Sequence, residues 1–396
     1  MGKTAVIIIN ADSLGGLEGD TARRVCKHLL SEADGRTPDI FEVDGGRLSK
    51  IGDILKYKEY DVFVLLKGTV FITCKGIRTL SGIALKRKEL SIIVPVSNES
   101  LVSHQRFAPP FIYHTLSVFK QAAEEIYKKF KDHITDVREA DDFCLVFRRE
   151  LLKSMPAGGS LFDLPGIVKK GRFKFAVAKG VYAHRYGNCY ESARDDLMAH
   201  VPMDAREILD VGSARGLLGE MLKKRQRCVV TGVEIDNEMT AVCRSRLDNV
   251  INLDIEAAIN KKILGKYDCI VCGDILEHLN DPWKVVRGLK NHLRKRGVFI
   301  ASTPNVMNWA LLFELLRGRW DYVPFTVLSG THIRFFTVNS LKELFEDAGY
   351  KVKDVKLQSF GLPPGGAEFI AGLRNIFPGI NEEEAKASEI IVVAGR

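Results

Sequence analysis

Carboxylates close a series of apolar runs in the second half of the sequence: Glu234 in Gly232-Val-Glu-Ile-Asp236, Asp254 in Asn252-Leu-Asp254 and Asp274 in Gly273-Asp274, the last running on into Glu277-His278. Ahead of them, Glu207-Ile-Leu-Asp-Val-Gly-Ser-Ala-Arg-Gly-Leu-Leu-Gly219 reads as a strand, a small-residue turn and a helix with apolar positions at 217, 218, 221 and 222. Glycine in such a turn lets a ligand reach the backbone without meeting a Cβ, and a helix start offers unpaired N–H donors. A dinucleotide fingerprint needs glycine at 212, 214 and 217, but 214 is alanine and 217 is leucine. The spacing Asp210-x-Gly212-x-x-x-Gly216 therefore suits an adenosine cofactor without a diphosphate. Glu234 is placed to accept from both ribose hydroxyls, and Asp254 from an adenine amino group.

These residues need a parallel sheet to gather them. Strands are expected at Glu207 to Val211, Cys228 to Ile235, Val250 to Leu253, Asp268 to Cys272 and Val298 to Ser302, with helices at Leu217 to Lys224, Pro282 to Leu293 and Asn339 to Ala348. In an open parallel sheet the strand tips line one crevice, so the motifs converge. The first half alternates in the same way, with apolar strands at Ala5 to Ile9, Ile40 to Val43, Val62 to Leu66, Ser91 to Val96, Phe143 to Phe147 and Phe173 to Ala178. The expected fold class is α/β in two domains, 1–187 and 188–396, meeting near Gly187-Asn188.

Composition agrees with a globular chain: 46% hydrophobic and 27% charged residues, and no apolar run of the length that spans a bilayer. No integral membrane segment is expected. Without a signal-peptide core at the N-terminus, the expected compartment is the cytoplasm, and the eight cysteines read as reduced thiols. Cys269 and Cys272 sit in a predicted strand, where residues three apart face opposite ways and cannot share an ion. The net charge of +8 lies wholly in residues 1–188, which hold 30 basic against 22 acidic side chains, while the remainder holds 28 of each. Lys86-Arg87-Lys88, Lys128-Lys129-Lys131 and Lys169-Lys170-Arg172-Lys174 could attract phosphate-rich partners, whether nucleic acid, nucleotide-sugar or anionic lipid head groups, although solvated helix faces and loops are the more frequent reading of such runs. No aromatic RNA-binding signature or zinc-finger spacing accompanies them, which argues against nucleic acid.

Residues 186 to 396 resemble the class I S-adenosylmethionine-dependent methyltransferases, in particular the bacterial type found in surface-glycan gene clusters. The likeness rests on Tyr190-x-x-x-Arg194-Asp-Asp-Leu, Leu209-Asp-Val-Gly212, Gly232-Val-Glu-Ile-Asp236, Gly273-Asp-Ile-Leu-Glu-His-Leu-x-Asp-Pro-Trp283, Ser302-Thr-Pro-Asn305, Gly318-Arg-Trp-Asp-Tyr322 and Thr331-His-Ile-Arg-Phe-Phe-Thr337. It implies a Rossmann-like seven-stranded sheet whose last strand is antiparallel, with Lys351 to Lys356 and Glu389 to Ala394 as the final hairpin pair. It implies S-adenosyl-L-methionine as cofactor, held by Arg194, Asp210, Gly212, Ser213, Gly216, Glu234, Ile235, Asp254, Gly273 and Asp274. The family usually has Gly-Cys-Gly-x-Gly in the first turn, where this chain has Gly212-Ser-Ala-Arg-Gly216, and Ala214 costs backbone latitude.

Methyl transfer is an in-line displacement, so the protein has to position a nucleophile and take up its proton. His278 is the leading base, with loop orientation as its structural alternative, and His332 is the runner-up. Glu277 and Asp274 could hold a divalent ion, as in some catechol-type methyltransferases, but nothing in the sequence singles out further oxygen ligands and no required metal is expected. Trp309, Trp320, Tyr322, Phe335 and Phe336 are dense enough to line a ring pocket, although such spacing more often marks core. Arg334 either binds an anionic substrate group or pairs with a surface acid.

In the first half, Asp61-Val-Phe-Val-Leu-Leu-Lys-Gly-Thr-Val-Phe-Ile-Thr73, Gly76-Ile-x-x-Leu80, Ile92-Ile-Val-Pro-Val-Ser-Asn98, Phe143-Cys-Leu-Val-Phe-Arg-Arg-Glu150 and Lys170-Gly-Arg-Phe-Lys-Phe-Ala-Val-Ala178 up to His184 are similar to a family 2 (GT-A type) glycosyltransferase domain. Where that family carries Asp-x-Asp for a metal and a nucleotide diphosphate, this chain has Leu66-Lys67-Gly68. The resemblance implies a degenerate transferase-like domain, with Asp12, Asp44 and Asp163 as remnants. Together the two resemblances imply O-methylation of a sugar hydroxyl, with a glycan or glycolipid acceptor as partner and room for peripheral association with an anionic membrane or a glycan-assembly complex. The competing readings are methylation of a small aromatic or lipid molecule, a non-catalytic glycan-binding or scaffold protein, and a bifunctional glycosyltransferase-methyltransferase.

Overall fold

The computed structural model describes residues 3–9, 16–31, 38–43, 58–67, 69–100, 102–153, 174–185, 193–259, 263–324 and 326–396. Asp12, Asp44, Gly68, Asp163, the Lys169–Arg172 cluster, the Gly187-Asn188 boundary, Cys189 and Tyr190 lie outside the described residues. The chain divides into two compact units, Met1–Gly187 with Asp321–Phe325, and Asn188–Trp320 with Thr326–Arg396.

The first unit runs β1 (Thr4–Ile9), α1 (Gly16–Ser31), β2 (Asp39–Val43), β3 (Val62–Lys67), β4 (Val70–Ile72), α2 (Cys74–Lys86), β5 (Ile92–Ser97), α3 (Leu116–Phe130), β6 (Ile134–Val137), β7 (Cys144–Arg148), α4 (Arg149–Lys153) and β8 (Phe175–Arg185). Its sheet has the order β2-β1-β3-β7-β5-β8-β4, with β6 also paired to β8. β1, β2 and β3 are parallel, and β7 lies antiparallel between β3 and β5. The helices follow from their apolar spacing: in α1, Ala22, Val25, Cys26, Leu29 and Leu30 are buried, one stripe at helical period. Thr73 and Thr115 cap α2 and α3 by accepting from the N–H groups of Gly76 and Val118. β8 runs beyond the expected end at Ala178 because its pairing with β5 resumes at Tyr182 and Ala183 and β4 pairs with Ala183, His184 and Arg185.

The second unit runs α5 (Asp195–Met198), β9 (Glu207–Val211), α6 (Leu217–Arg225), β10 (Val229–Glu234), α7 (Asn237–Cys243), β11 (Asn249–Asn252), α8 (Ile255–Ala258), β12 (Tyr267–Gly273), α9 (Pro282–Leu289), β13 (Leu293–Pro304), α10 (Trp309–Leu316), α11 (Val338–Asp347), β14 (Lys351–Ser359), α12 (Gly366–Ile376), α13 (Glu382–Lys386) and β15 (Ala387–Gly395). Seven strands are ordered β11-β10-β9-β12-β13-β15-β14, all parallel except β15, which is antiparallel to both its neighbours.

The inner strands β9, β12 and β15 are covered on both faces, which is why they are largely apolar. Leu209, Val211, Ile270, Cys272, Phe299 and Ala301 pack on one face with Val285, Val286 and Leu289 of α9 and Leu341, Leu344 and Phe345 of α11. Ile208, Cys269, Val271 and Ile300 pack on the other face with Leu197, Leu218, Leu222 and Cys243. Cys269 and Cys272 therefore face opposite ways, as strand geometry requires.

Two expectations are corrected. The helix from Pro282 ends at Leu289, because Asn291 and His292 turn back to bond Gly288 and Leu289 and β13 has begun by Leu293. β14 and β15 pair as expected, but α12 and α13 lie between them in the chain, so they do not form a simple hairpin. Among the described residues, no helix is long and apolar enough to cross a membrane.

Candidate functional site

β9 delivers the chain into the glycine turn. Gly212 takes φ +72°, Ala214 +46° and Gly216 +80°, and Gly216 is the N-cap of α6. A Cβ on Gly212 would lie 2.9 Å from Ile275 Cδ1, so space as well as φ requires glycine there. The tip of β10 closes the turn: the Gly212 N–H donates to the Val233 carbonyl at 2.8 Å, and the Ala214 N–H donates to Glu234 Oε2 at 2.8 Å. Glu234 Oε1 accepts from the Asp236 N–H at 2.9 Å. The carboxylate is thus fixed toward the turn with one acceptor position left on each oxygen, which matches a pair of ribose hydroxyls. Beside it Ile235 is 66% exposed, an apolar surface at a strand tip where a flat ring can rest. Asp210 is buried on β9, and its carboxyl is pushed up to about 7 by burial and then by the negative charge of Glu234. These residues fit an adenosine cofactor.

Ala214 holds a Cβ at a left-handed φ, which costs about 1 kcal/mol relative to glycine. Ala214→Gly is expected to raise the melting temperature of the unliganded protein by about 1–3 °C, the relief of strain being partly offset by glycine's greater chain entropy. Differential scanning calorimetry measures it, and a lower melting temperature would mean that the strain is absent.

Two expected cofactor contacts, Ser213 and Arg194, are engaged within the protein. The Ser213 hydroxyl is buried 3.4 Å from Cys243 Sγ, its N–H donates to Val233 and its carbonyl accepts from Gly216, so its polar groups close the turn. Arg194 donates to Asp196, Asp274, Glu389 and the Ser302 hydroxyl, so its guanidinium holds the protein's own acids together rather than standing free for a ligand. Asp254 caps α8 by accepting from the Glu256 N–H at 2.8 Å, which occupies one of its oxygens. Gly273 sits against Leu197, whose Cδ1 would be 2.7 Å from an added Cβ. Asp274 follows at φ +51°, bound by Arg194 and by the Ser302 hydroxyl at 2.8 Å.

A second group of side chains lies past the β12 tip, in a 3-10 turn from Leu276 to His278. The Glu277 carbonyl accepts from the N–H groups of Ile333 and Arg334 at 2.9 and 3.0 Å, and this brings the segment carrying His332 to the turn. The two imidazole rings meet edge to face, 4.7 Å between centroids. His278 Nδ1 lies 3.2 Å from the Thr331 carbonyl and His332 Nδ1 2.9 Å from the Val327 carbonyl. A carbonyl only accepts, so each Nδ1 carries the proton and each Nε2 keeps a lone pair.

Burial lowers the pKa of both rings, His332 to about 4 with help from His278, so both are neutral near pH 7. Glu277 is 2% exposed, and neither of its carboxylate oxygens has a hydrogen-bond partner. Burial, then the charge of Asp274, raises its pKa well above the usual carboxylate range. Metal-capable atoms of Glu277, His278 and His332 all lie within 4.8 Å of one another. His278 and His332 were legible in the sequence as separate candidates, but their meeting with Glu277 was not, since only the backbone bonds to the Glu277 carbonyl reveal it. Phe336 is core and Trp320 packs edge to face on Phe335, which favours the structural reading of those aromatics.

Residues 182–355 match the family described as Methyltransferase domain (Methyltransf_23). Among curated relatives, a ubiquinone biosynthesis O-methyltransferase of Neisseria meningitidis serogroup C (strain 053442) is 27% identical over 171 residues, covering 41% of this chain and 71% of that protein. The protein of the same name from Pseudomonas paraeruginosa (strain DSM 24068 / PA7) is 29% identical over 157 residues, covering 38% of this chain and 66% of that protein. A solved SAM-dependent methyltransferase from Archaeoglobus fulgidus aligns over 51% of this chain and 90% of its own at 17% identity, with a TM-score of 0.38. The C-terminal half is a class I S-adenosylmethionine-dependent methyltransferase domain. The protein is a methyltransferase, and S-adenosylmethionine is its cofactor.

Proposed function

We propose that this domain, residues 188–396, transfers a methyl group to a hydroxyl oxygen presented at Glu277, His278 and His332, and that the acceptor is a sugar hydroxyl of a polysaccharide or glycolipid precursor. The observation that carries the reading is the pair of neutral imidazoles, each keeping a proton-free Nε2, with one ring nitrogen of each gathered with an oxygen of a buried carboxyl. Such a cluster suits an acceptor whose oxygen must shed a proton. When bound, S-adenosylmethionine supplies an activated methyl group on a sulfonium sulfur. Glu234 would take the ribose hydroxyls, Ile235 and Asp254 the adenine, and the Gly212 turn the backbone-facing edge of the cofactor. Gly216, Gly273, Asp210 and Asp274 shape the same cleft, and Arg194 positions Asp274.

The sugar acceptor is supported by the resemblance to surface-glycan methyltransferases and by the first half's likeness to a GT-A domain. In residues 1–187, Lys67 at the end of β3 pairs with Asp142 at 2.6 Å, so the strand tip presents an internal ion pair where a transferase would present acids. This supports a degenerate domain that binds a glycan or a partner. A phenolic acceptor is the second reading, favoured because the curated relatives are named as O-methyltransferases of ubiquinone biosynthesis.

Purified full-length protein, incubated with methyl-labelled cofactor and parallel panels of glycans, glycolipid precursors and catechols, is expected to label the glycan panel. Label confined to the catechols would replace the first reading by the second. No label on any hydroxyl acceptor would remove both.

A further inference from the structure

We propose that Glu277, His278 and His332 form a binding site for a divalent first-row transition cation, one that holds the acceptor hydroxyl. The proposal deepens the O-methyl transfer reading and rests on it for the cation's role. Two imidazole nitrogens and one carboxylate oxygen converge within 4.8 Å, the three-ligand set that leaves coordination positions open for a substrate oxygen. Each histidine is oriented by an Nδ1–H bond to a backbone carbonyl, the arrangement that turns the other nitrogen into a ligand.

Glu277 supplies the independent observation. It is 2% exposed, and both of its oxygens lack a hydrogen-bond partner. A carboxyl group buried without partners forfeits its hydration with nothing in return, so some group must normally complete it. If the acid were only a structural element of the loop, it would donate to one of the two free Nε2 atoms, and no such bond is present. A cation meets the needs of all three side chains at once.

The donor set also selects the ion. Magnesium and calcium prefer all-oxygen shells, whereas two nitrogens with one carboxylate suit zinc, manganese or cobalt. Asp274 is not part of the set, being held by Arg194 and Ser302, but its charge lies close enough to reach both histidines. Both histidines are partly exposed, so the cluster is reachable by a substrate.

The chemistry balances without an oxidant or reductant. The acceptor hydroxyl binds an open position of the cation and its proton passes to solvent water, since a bound cation lowers the pKa of a coordinated oxygen. The oxygen's electron pair forms the new O–C bond as the C–S bond breaks, and that bond's pair goes to sulfur, leaving a neutral thioether. With their Nε2 atoms committed as ligands, His278 and His332 act through the cation and not as bases.

The test uses full-length protein stripped with chelator and dialysed, then titrated separately with Zn²⁺, Mn²⁺ and Mg²⁺ by calorimetry, with metal content read by mass spectrometry. About one Zn²⁺ or Mn²⁺ per chain is expected, with Mg²⁺ binding at least ~100-fold weaker. His332→Ala, His278→Ala and the near-isosteric Glu277→Gln are each expected to lose about 100-fold or more in cation affinity while binding S-adenosylhomocysteine as the parent does. Co²⁺ loaded into the parent should give visible absorption bands that the variants lack.

Absence of any bound cation in protein that still binds S-adenosylhomocysteine overturns the proposal, as does unchanged stoichiometry and affinity in all three variants. If the cation binds through these residues but no hydroxyl acceptor is methylated, the site stands and the O-methyl transfer reading falls.

Discussion

Replacing Glu234 by alanine is expected to weaken S-adenosylhomocysteine binding by about 100-fold, or about 2.7 kcal/mol. The size follows from what the carboxylate does. Its two oxygens already accept from the Ala214 and Asp236 N–H groups, so they are fixed before any ligand arrives. Hydrogen bonds to a charged acceptor contribute about 1.5–3 kcal/mol each, and a pre-oriented one loses little in ordering. The alanine variant also strips the partner from the Ala214 N–H at the most strained point of the turn, which adds a stability loss of about 1–2 kcal/mol. Glu234→Gln should fall between, near 10-fold, because one oxygen becomes a donor. Titration calorimetry decides, with circular dichroism confirming the fold. A change below about threefold in the alanine variant would mean that the ribose is held elsewhere.

What could be read in advance follows from how a parallel sheet is built. β9 and β12 were legible to within a residue or two because strands buried on both faces are continuous apolar runs, and Glu234 was legible because β10 ends where its apolar run meets acids. The start of β13 was hidden, since Arg294, Lys295 and Arg296 are exposed and carry no apolar signal. α10, α12 and α13 were not anticipated. α13 carries three acids in its first turn and draws its stability from Asn381, whose side chain accepts from the N–H groups of Glu383 and Glu384.

The site divides in the same way. Local features such as the glycine turn are written in consecutive residues. Features made by tertiary pairing are not: Ser213 turns to Cys243, and Glu277 meets His332 only through loop backbone. An arginine that serves a cofactor and one that serves the sheet look alike in sequence, and Arg194 is the case in point.

Arg194→Met should lower stability of the C-terminal unit by about 3 kcal/mol near pH 8, or about 8 °C in its melting transition. Arg194 is 19% exposed and stands among Asp196, Asp274 and Glu389, which come from separate elements. Removing one partner of a buried pair costs about 3–5 kcal/mol, and the low end applies because the Asp274 side chain is 39% exposed and keeps much of its hydration. In the parent, burial and the charge of Asp274 already raise the Glu389 carboxyl, against the pull of Arg194.

Without the guanidinium, burial is left unopposed to raise the folded-state pKa of Glu389 further and to raise that of Asp196, so folding takes up protons. A group raised in this way contributes stability below its unfolded pKa and loses it as pH rises through its folded pKa. The deficit of Arg194→Met relative to the parent should therefore be largest near pH 8 and shrink toward pH 5, whereas loss of packing alone would leave it flat. Thermal melts of both proteins across that range measure the difference. A deficit that grows toward pH 5 would show that Arg194 does not favour the ionised forms of Glu389 and Asp196.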